Sequence, residues 1–143
     1  MRNNNSTAIC CGRFDIQFET AIAYMISIII PAHNEGSVIA RTLGSVMQGA
    51  GENELDIIVV CNGCRDDTAK VAKEFSPPVR VIETDIASKI AALNLGDQAA
   101  RSFPRIYLDA DVTITIDTIR AISKSLQNGA LLAAPTPAFA LNG

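Results

Sequence analysis

The sequence contains no tryptophan, one histidine, two tyrosines and five phenylalanines. A surface that stacks nucleic-acid bases needs aromatic rings interleaved with cations, and the twelve basic residues here are scattered without such interleaving. The formal net charge of −3 supplies no attraction for a polyanion, so nucleic acid is not an expected partner. The lone His33 sits at no matching interval from the cysteines, and the adjacent Cys10-Cys11 is poor ligand spacing, so a structural zinc site is not expected. Long hydrophobic runs are also missing. The longest, residues 21–31, falls well short of the roughly 20 residues that span a bilayer. No transmembrane segment is therefore expected, and only peripheral association with a membrane surface stays open.

A secretory leader is not legible either. Arg2 is the only early charge, Asn3-Asn4-Asn5-Ser6-Thr7 follows, and Asp15 and Glu19 precede the apolar run. The expected location is the cytoplasm, with the cytoplasmic face of a membrane as the alternative, where a reducing milieu keeps the four cysteines as thiols.

What is present is a sequence of 143 residues, 48% of them hydrophobic, enough for one domain with a sizeable core. Residues 1–24 lack sustained periodicity and are expected to form a poorly ordered extension, with a short amphipathic helix over 14–24 as the competing reading. The ordered domain is expected over 25–143.

Within it, apolar β-branched runs alternate with amphipathic segments. Strands are predicted at 25–30, ended by Pro31, and at 55–60, 79–82 and 106–108. Helices are predicted at 35–48, with Asn34 as cap, and from Asp66-Asp67-Thr68 to the residues before Pro77-Pro78. Further helices are expected at 87–101, with Ile90, Ala91, Leu95 and Ala99 as the buried stripe, and at 116–126. Leu131-Leu132-Ala133 is a candidate for one more strand. Continuous apolar strands alternating with helices predict an α/β fold, a Rossmann-like and mostly parallel sheet with helices on both faces. Such sheets take ligands at the carboxyl ends of their strands. The polar clusters 32–35, 61–67 and 109–111 all follow strand ends, which predicts one binding cleft.

Asp109-Ala110-Asp111 carries the most chemistry. Two acids one residue apart, after the apolar run Arg105-Ile106-Tyr107-Leu108, repel each other unless a cation joins them. Hard oxygen ligands suit Mg²⁺ or Mn²⁺, which commonly bridge carboxylates to a diphosphate. A solvated loop is the plain alternative. Cys61-Asn62-Gly63-Cys64, between a strand and a helix, sits where a thioredoxin-like pair would, but lacks the aromatic and proline of the usual redox motif.

Taken together, Ile26-Ser27-Ile28-Ile29-Ile30-Pro31-Ala32-His33-Asn34-Glu35, the run from Ile57 to Thr68, Ser88 to Gly96, and Tyr107-Leu108-Asp109-Ala110-Asp111 resemble the family 2 glycosyltransferases, whose nucleotide-sugar domain has the GT-A fold. The resemblance implies an inverting transfer of sugar from a nucleoside diphosphate to an acceptor whose identity stays open. It implies that Pro31, Ala32 and His33 line the nucleoside pocket, with the His33 ring beside the base, and that Glu35 reaches its nucleoside side. A first-turn acid favoured by the helix dipole is the alternative for Glu35. Where the family usually carries two acids this chain has Cys61-Asn62, and Asn62 both accepts and donates. Lys89 is implied to neutralise the diphosphate, against a solvated helix residue as the alternative, and Asp109 and Asp111 to hold the divalent ion. Helix capping is the preferred reading for Asp66 and Asp67.

The resemblance also implies a general base well after the second acid pair. Asp117 is too close to that pair and lies in a predicted helix, so the base is expected beyond Gly143. The chain is accordingly expected to be a portion of a transferase, incomplete at its C-terminus. A nucleotide-binding or regulatory module without transfer activity is the rival class. A thiol redox protein using Cys61 and Cys64 is the more distant one.

Overall fold

A computed structural model describes residues 25–135. The order of elements is β1 (Ile26–Ala32), α1 (Ile39–Met47), β2 (Leu55–Asn62), α2 (Thr68–Lys73), β3 (Val79–Thr84), α3 (Lys89–Ala99), β4 (Arg105–Tyr107) and α4 (Ile116–Gln127). The four strands form one parallel sheet in the order β3-β2-β1-β4. The predicted α/β architecture is therefore the observed one. The expected extension over 1–24, its alternative helix over 14–24 and the end of the chain lie outside the described residues.

The sheet is buried because its central strands are apolar on both faces. Every residue of β1 and β2 is buried. Ile28, Ile30, Ile57 and Val59 meet Ile39, Leu43 and Val46 of α1 and Ile119 and Ile122 of α4 on one side. Ile29, Ile58 and Val60 meet Ala92 of α3 on the other. Helices thus cover both faces, as continuous apolar strands require.

Several local expectations change. β1 runs through Pro31 to Ala32 rather than stopping before it. Proline is tolerated in this central strand because the ladder to β4 ends at Ile29↔Tyr107, so the Pro31 nitrogen faces β4 beyond the last pair. The first helix begins at Ile39, not at residue 35, because Asn34 has a left-handed φ of 56° and a turn held by Glu35 precedes the helix.

The predicted stripe on α3 holds in part: Leu95 and Ala99 pack partly buried against the sheet, but Ile90 does not. Ala92 and Gly96 are its buried residues, and Ile90 is 73% exposed. A Cβ on Gly96 would lie 2.4 Å from Ile29 Cγ2, so helix and sheet touch through the smallest residues rather than the largest. β4 is an edge strand, with Ile106 buried and Tyr107 exposed, not the fully buried strand expected. Leu131-Leu132-Ala133 forms no strand, and both leucines are exposed.

Candidate functional site

Parallel strands bring their carboxyl ends to one edge, and the three polar clusters predicted for a cleft all lie there. Ala32 stands opposite Cys61 in the β1–β2 ladder, so the loops after both strands start side by side. His33 Nδ1 lies 2.6 Å from the carbonyl oxygen of Asn62. A ring nitrogen facing a carbonyl carries the proton, which leaves Nε2 as acceptor for the Asn34 amide at 3.4 Å. Asn34 Oδ1 in turn accepts from Arg65 N at 2.8 Å. A left-handed Asn34 is thus fixed by the loop of the neighbouring strand.

Asp66 makes the second tie. Its carboxylate accepts from Gly36 N at 2.9 Å and from Thr68 N at 3.1 Å, and the Thr68 hydroxyl, which also donates to it, accepts from Glu35 N at 2.8 Å. Asp66, not Asp67, therefore caps the start of α2, and it clamps the β1–α1 loop at the same time. The Thr68 hydroxyl above all holds the Asp66 carboxyl below the usual carboxylate value; burial opposes it, and the Gly36 and Thr68 amides add smaller lowering effects. A depressed folded value means stabilisation present above the unfolded pKa and lost as pH falls through the folded one. Asp66→Ala is expected to cost about 1 kcal/mol at neutral pH, the ordinary size of a lost cap. The gap between wild type and variant should close on acidification below the carboxylate range. Thermal melts across pH measure it, and a gap independent of pH would contradict the clamp.

Gly63 shapes the floor. Its φ is +64° and its N donates to Thr84 O at 2.7 Å, while a Cβ there would lie 2.9 Å from Ala87 Cβ. Gly63→Ala is expected to cost about 1–2 kcal/mol from the left-handed backbone alone, with displacement of the 85–88 loop in addition. Denaturant unfolding checks the first and hydrogen exchange of that loop the second.

Asn62 is 5% exposed, and its Oδ1 has no hydrogen-bond partner. An orphaned buried acceptor is costly and marks a place a ligand donor would satisfy. Lys89 opens α3 after Ser88, whose side chain caps the helix at Ala91 N. Its Nζ lies 2.6 Å from Asp109 Oδ1. A cation at a helix N-terminus faces the positive end of the dipole, so Asp109 holds it there. Asp109 and Asp111 are both exposed beyond the end of β4, and Thr42 Oγ1 donates to the intervening Ala110 carbonyl at 2.7 Å. A cavity of about 1230 Å³ runs along β4 and reaches Pro31, Lys89 and Asp109.

The predicted residues therefore divide. His33 and Asn62 meet at one end of the edge, and Lys89 and Asp109 meet at the other. Asp111 is exposed near Asp109 in the chain but has no recorded partner among the described residues. Ala32 is 1% exposed, and its carbonyl accepts from Cys64, so it supports the edge from beneath. Glu35 contributes its backbone to the loop turn. The Thr68 tie to Glu35 was missed in the sequence, since nothing local marks partners 33 residues apart.

A parallel sheet with loops tied together at its carboxyl edge defines an α/β domain of the class that takes ligands at that edge. The chain belongs to glycosyl transferase family 2, which it matches over residues 27–140. It is 30% identical over 97 residues to the glycosyltransferase AglE of Haloferax volcanii, covering 64% of this chain and 32% of that protein. TarS 1–349 of S. aureus, solved in complex with UDP-GlcNAc, superposes with a TM-score of 0.65 at 19% identity, over 73% of this chain and 31% of TarS 1–349. The mannosyltransferase PcManGT of Pyrobaculum calidifontis, solved with GDP-Man and Mn²⁺, gives 0.60 at 22% identity, over 66% of this chain and 30% of PcManGT. These structures share the GT-A fold. The chain spans about a third of AglE's length. Among the described residues no helix is long and apolar enough to cross a membrane.

Proposed function

We propose that this domain, over residues 25–143, holds the nucleotide-sugar donor of a transferase that passes the sugar, with inversion, to an acceptor still to be identified. The observation that carries the reading is the pairing of Lys89 with Asp109 on the edge that also holds His33 and the orphaned Asn62 acceptor. His33 and Asn62 take the base, Pro31, Ala32 and Glu35 frame the nucleoside side, and Lys89 takes the diphosphate. UDP-GlcNAc and GDP-Man, with which TarS 1–349 and PcManGT were solved, belong to the same donor class.

The residues present fit a divalent ion. No cluster of three or more His, Cys, Asp or Glu able to hold a metal occurs among the described residues. Two exposed carboxylates with a cation already beside one of them match an ion that completes its shell with phosphate oxygens and water. Asp109 and Asp111 would hold Mg²⁺ or Mn²⁺, whose chemistry is to stabilise charge on the departing diphosphate. The chain's own contribution is orientation: the loop ties fix His33 against Asn62, and Lys89 exchanges Asp109 for phosphate. A cytoplasmic setting, at or away from a membrane surface, agrees with the free thiols of Cys61 and Cys64.

Calorimetry of UDP, GDP and CDP with and without Mn²⁺ tests the reading. One of them is expected to bind at least tenfold more tightly with Mn²⁺. Equal binding with and without metal, or none by any of the three, would overturn it.

A further inference from the structure

Cys61 and Cys64 have no role in the donor reading, yet they flank Asn62 and Gly63 at the end of β2. Cys61 is buried near the end of β2, opposite Ala32 on one side and Glu83 on the other. Gly63, at φ +64°, turns the chain at once. Cys64 comes back over the strand end, where its Sγ donates to Ala32 O at 3.3 Å and accepts from Asn34 N at 3.4 Å. Ala32 thus neighbours both cysteines: it stands opposite Cys61 in the ladder, and its carbonyl accepts from Cys64. Cys64 is half-buried and Cys61 is closed off from solvent.

We propose that Cys61 and Cys64 form a reversible disulfide, made by exchange with a small-molecule disulfide, that frees the β1–α1 loop and weakens donor binding. Only the effect on donor binding rests on the function proposed above.

The exchange has two steps. The Cys64 thiolate attacks one sulfur of the small disulfide, forming a mixed disulfide and expelling one thiolate. Cys61 then loses its proton and attacks the Cys64 sulfur, expelling the second thiolate. Two protein thiols are oxidised, one disulfide is reduced, and the two protein protons end on the two released small thiols. Cys64 goes first because it is reachable. Burial, followed by the neighbouring Cys64, pushes the Cys61 thiol up to about 12. Its thiolate is scarce, so closure is the slow step. The same property makes Cys61 a poor leaving group, so the closed disulfide yields only to a strong dithiol reductant.

Closure changes the loop through named bonds. The Cys64 sulfur loses the proton it gives to Ala32 O, and its position beneath Asn34 N. Asn34 carries a left-handed backbone and hydrogen-bonds His33 Nε2, so losing its amide contact loosens the residue that steadies the His33 ring. Asn62 and Gly63 lie between the two sulfurs in sequence and are redrawn with them.

The experiment uses the 143-residue chain with Cys10 and Cys11 replaced by serine, leaving two of the four cysteines. The protein is treated with oxidised glutathione, and mass spectrometry is read with thiol alkylation. Loss of both free thiols with no glutathione retained, and a Cys61–Cys64 linked peptide, are expected. Two free thiols or a lasting adduct on Cys64 would overturn the proposal.

Hydrogen exchange should show the Asn34 amide exchanging at least tenfold faster when oxidised and returning on reduction with dithiothreitol. An unchanged rate in linked protein would overturn the loop coupling. Nucleoside diphosphate affinity with Mn²⁺ should fall at least fivefold on oxidation, and Cys64→Ala should make the affinity indifferent to oxidant. If the reduced chain binds no nucleoside diphosphate, the donor reading falls, while the mass and exchange readouts still decide the disulfide.

Discussion

Asp56→Ala is expected to destabilise the fold by about 3 kcal/mol, the lower end of the range for breaking a buried ion pair. Asp56 is 3% exposed on β2. Its carboxylate accepts from Arg80 Nε at 2.9 Å, Arg80 Nη2 at 3.0 Å, Arg101 N at 3.1 Å and Ser27 Oγ at 3.3 Å. One side chain thus joins β1, β2, β3 and the segment after α3. Alanine leaves these donors without their acceptor, and the Arg80 guanidinium without its countercharge. The Arg80 side chain keeps 30% exposure, so water recovers part of its solvation, which places the cost at the low end. Asp56→Asn keeps the shape and loses the charge, and its cost should be smaller. Urea unfolding should show a lower midpoint at unchanged slope. Asp56 sits toward the amino ends of the strands, away from the proposed pocket, so the folded fraction should bind nucleoside diphosphate with unaltered affinity. A loss under about 0.5 kcal/mol, the scale of an ordinary surface substitution, would show that the network is ornamental to stability.

This network was silent in the sequence, and the reason is physical. Asp56 follows Leu55 in a run of apolar residues and interrupts its pattern by a single position. Its partners are 24 and 45 residues away, brought together only by strand pairing and by the return from α3. The parallel sheet, by contrast, was legible because Ile28 to Ile30 and Ile57 to Val60 are apolar without alternation, as burial on both faces requires.

The stripe on α3 was legible only in part. Helical spacing found Leu95 and Ala99, which pack partly buried against the sheet, yet the close approach of helix to sheet made Ala92 and Gly96 the fully buried pair and left Ile90 outward. At the site, the sequence marked the polar clusters and the edge they share. It did not mark the ties that organise them, His33 to the Asn62 carbonyl and Asp66 to Gly36 N, since backbone groups carry no signature in the residue code.

Lys89→Met is expected to move two affinities in opposite directions. Lys89 Nζ is 2.6 Å from Asp109 Oδ1, and the two side chains are 60% and 53% exposed. An exposed pair of this kind contributes at most about 1 kcal/mol, so it is easily exchanged for better partners. In the proposed site Lys89 would compete with a divalent ion for Asp109, and removing it should tighten Mn²⁺ binding in the absence of nucleotide by about two- to fivefold, within that bound of about 1 kcal/mol. The same lysine is proposed to give the diphosphate a charge-assisted contact, and such bonds contribute about 1.5–3 kcal/mol. Nucleoside diphosphate affinity in saturating Mn²⁺ should therefore fall by about tenfold or more. Asp111→Ala removes a carboxylate with no recorded partner among the described residues, so it tests the ion with little structural disturbance. It should erase the advantage that Mn²⁺ gives to nucleotide binding, whereas Asp111→Asn should retain a fraction of it through one neutral oxygen. Parallel titrations with the metal alone and with metal and nucleotide separate the cases. If Lys89→Met weakens both affinities together, the lysine is a structural support of the loop. If Asp111→Ala leaves the Mn²⁺ advantage intact, the paired acids do not hold the ion.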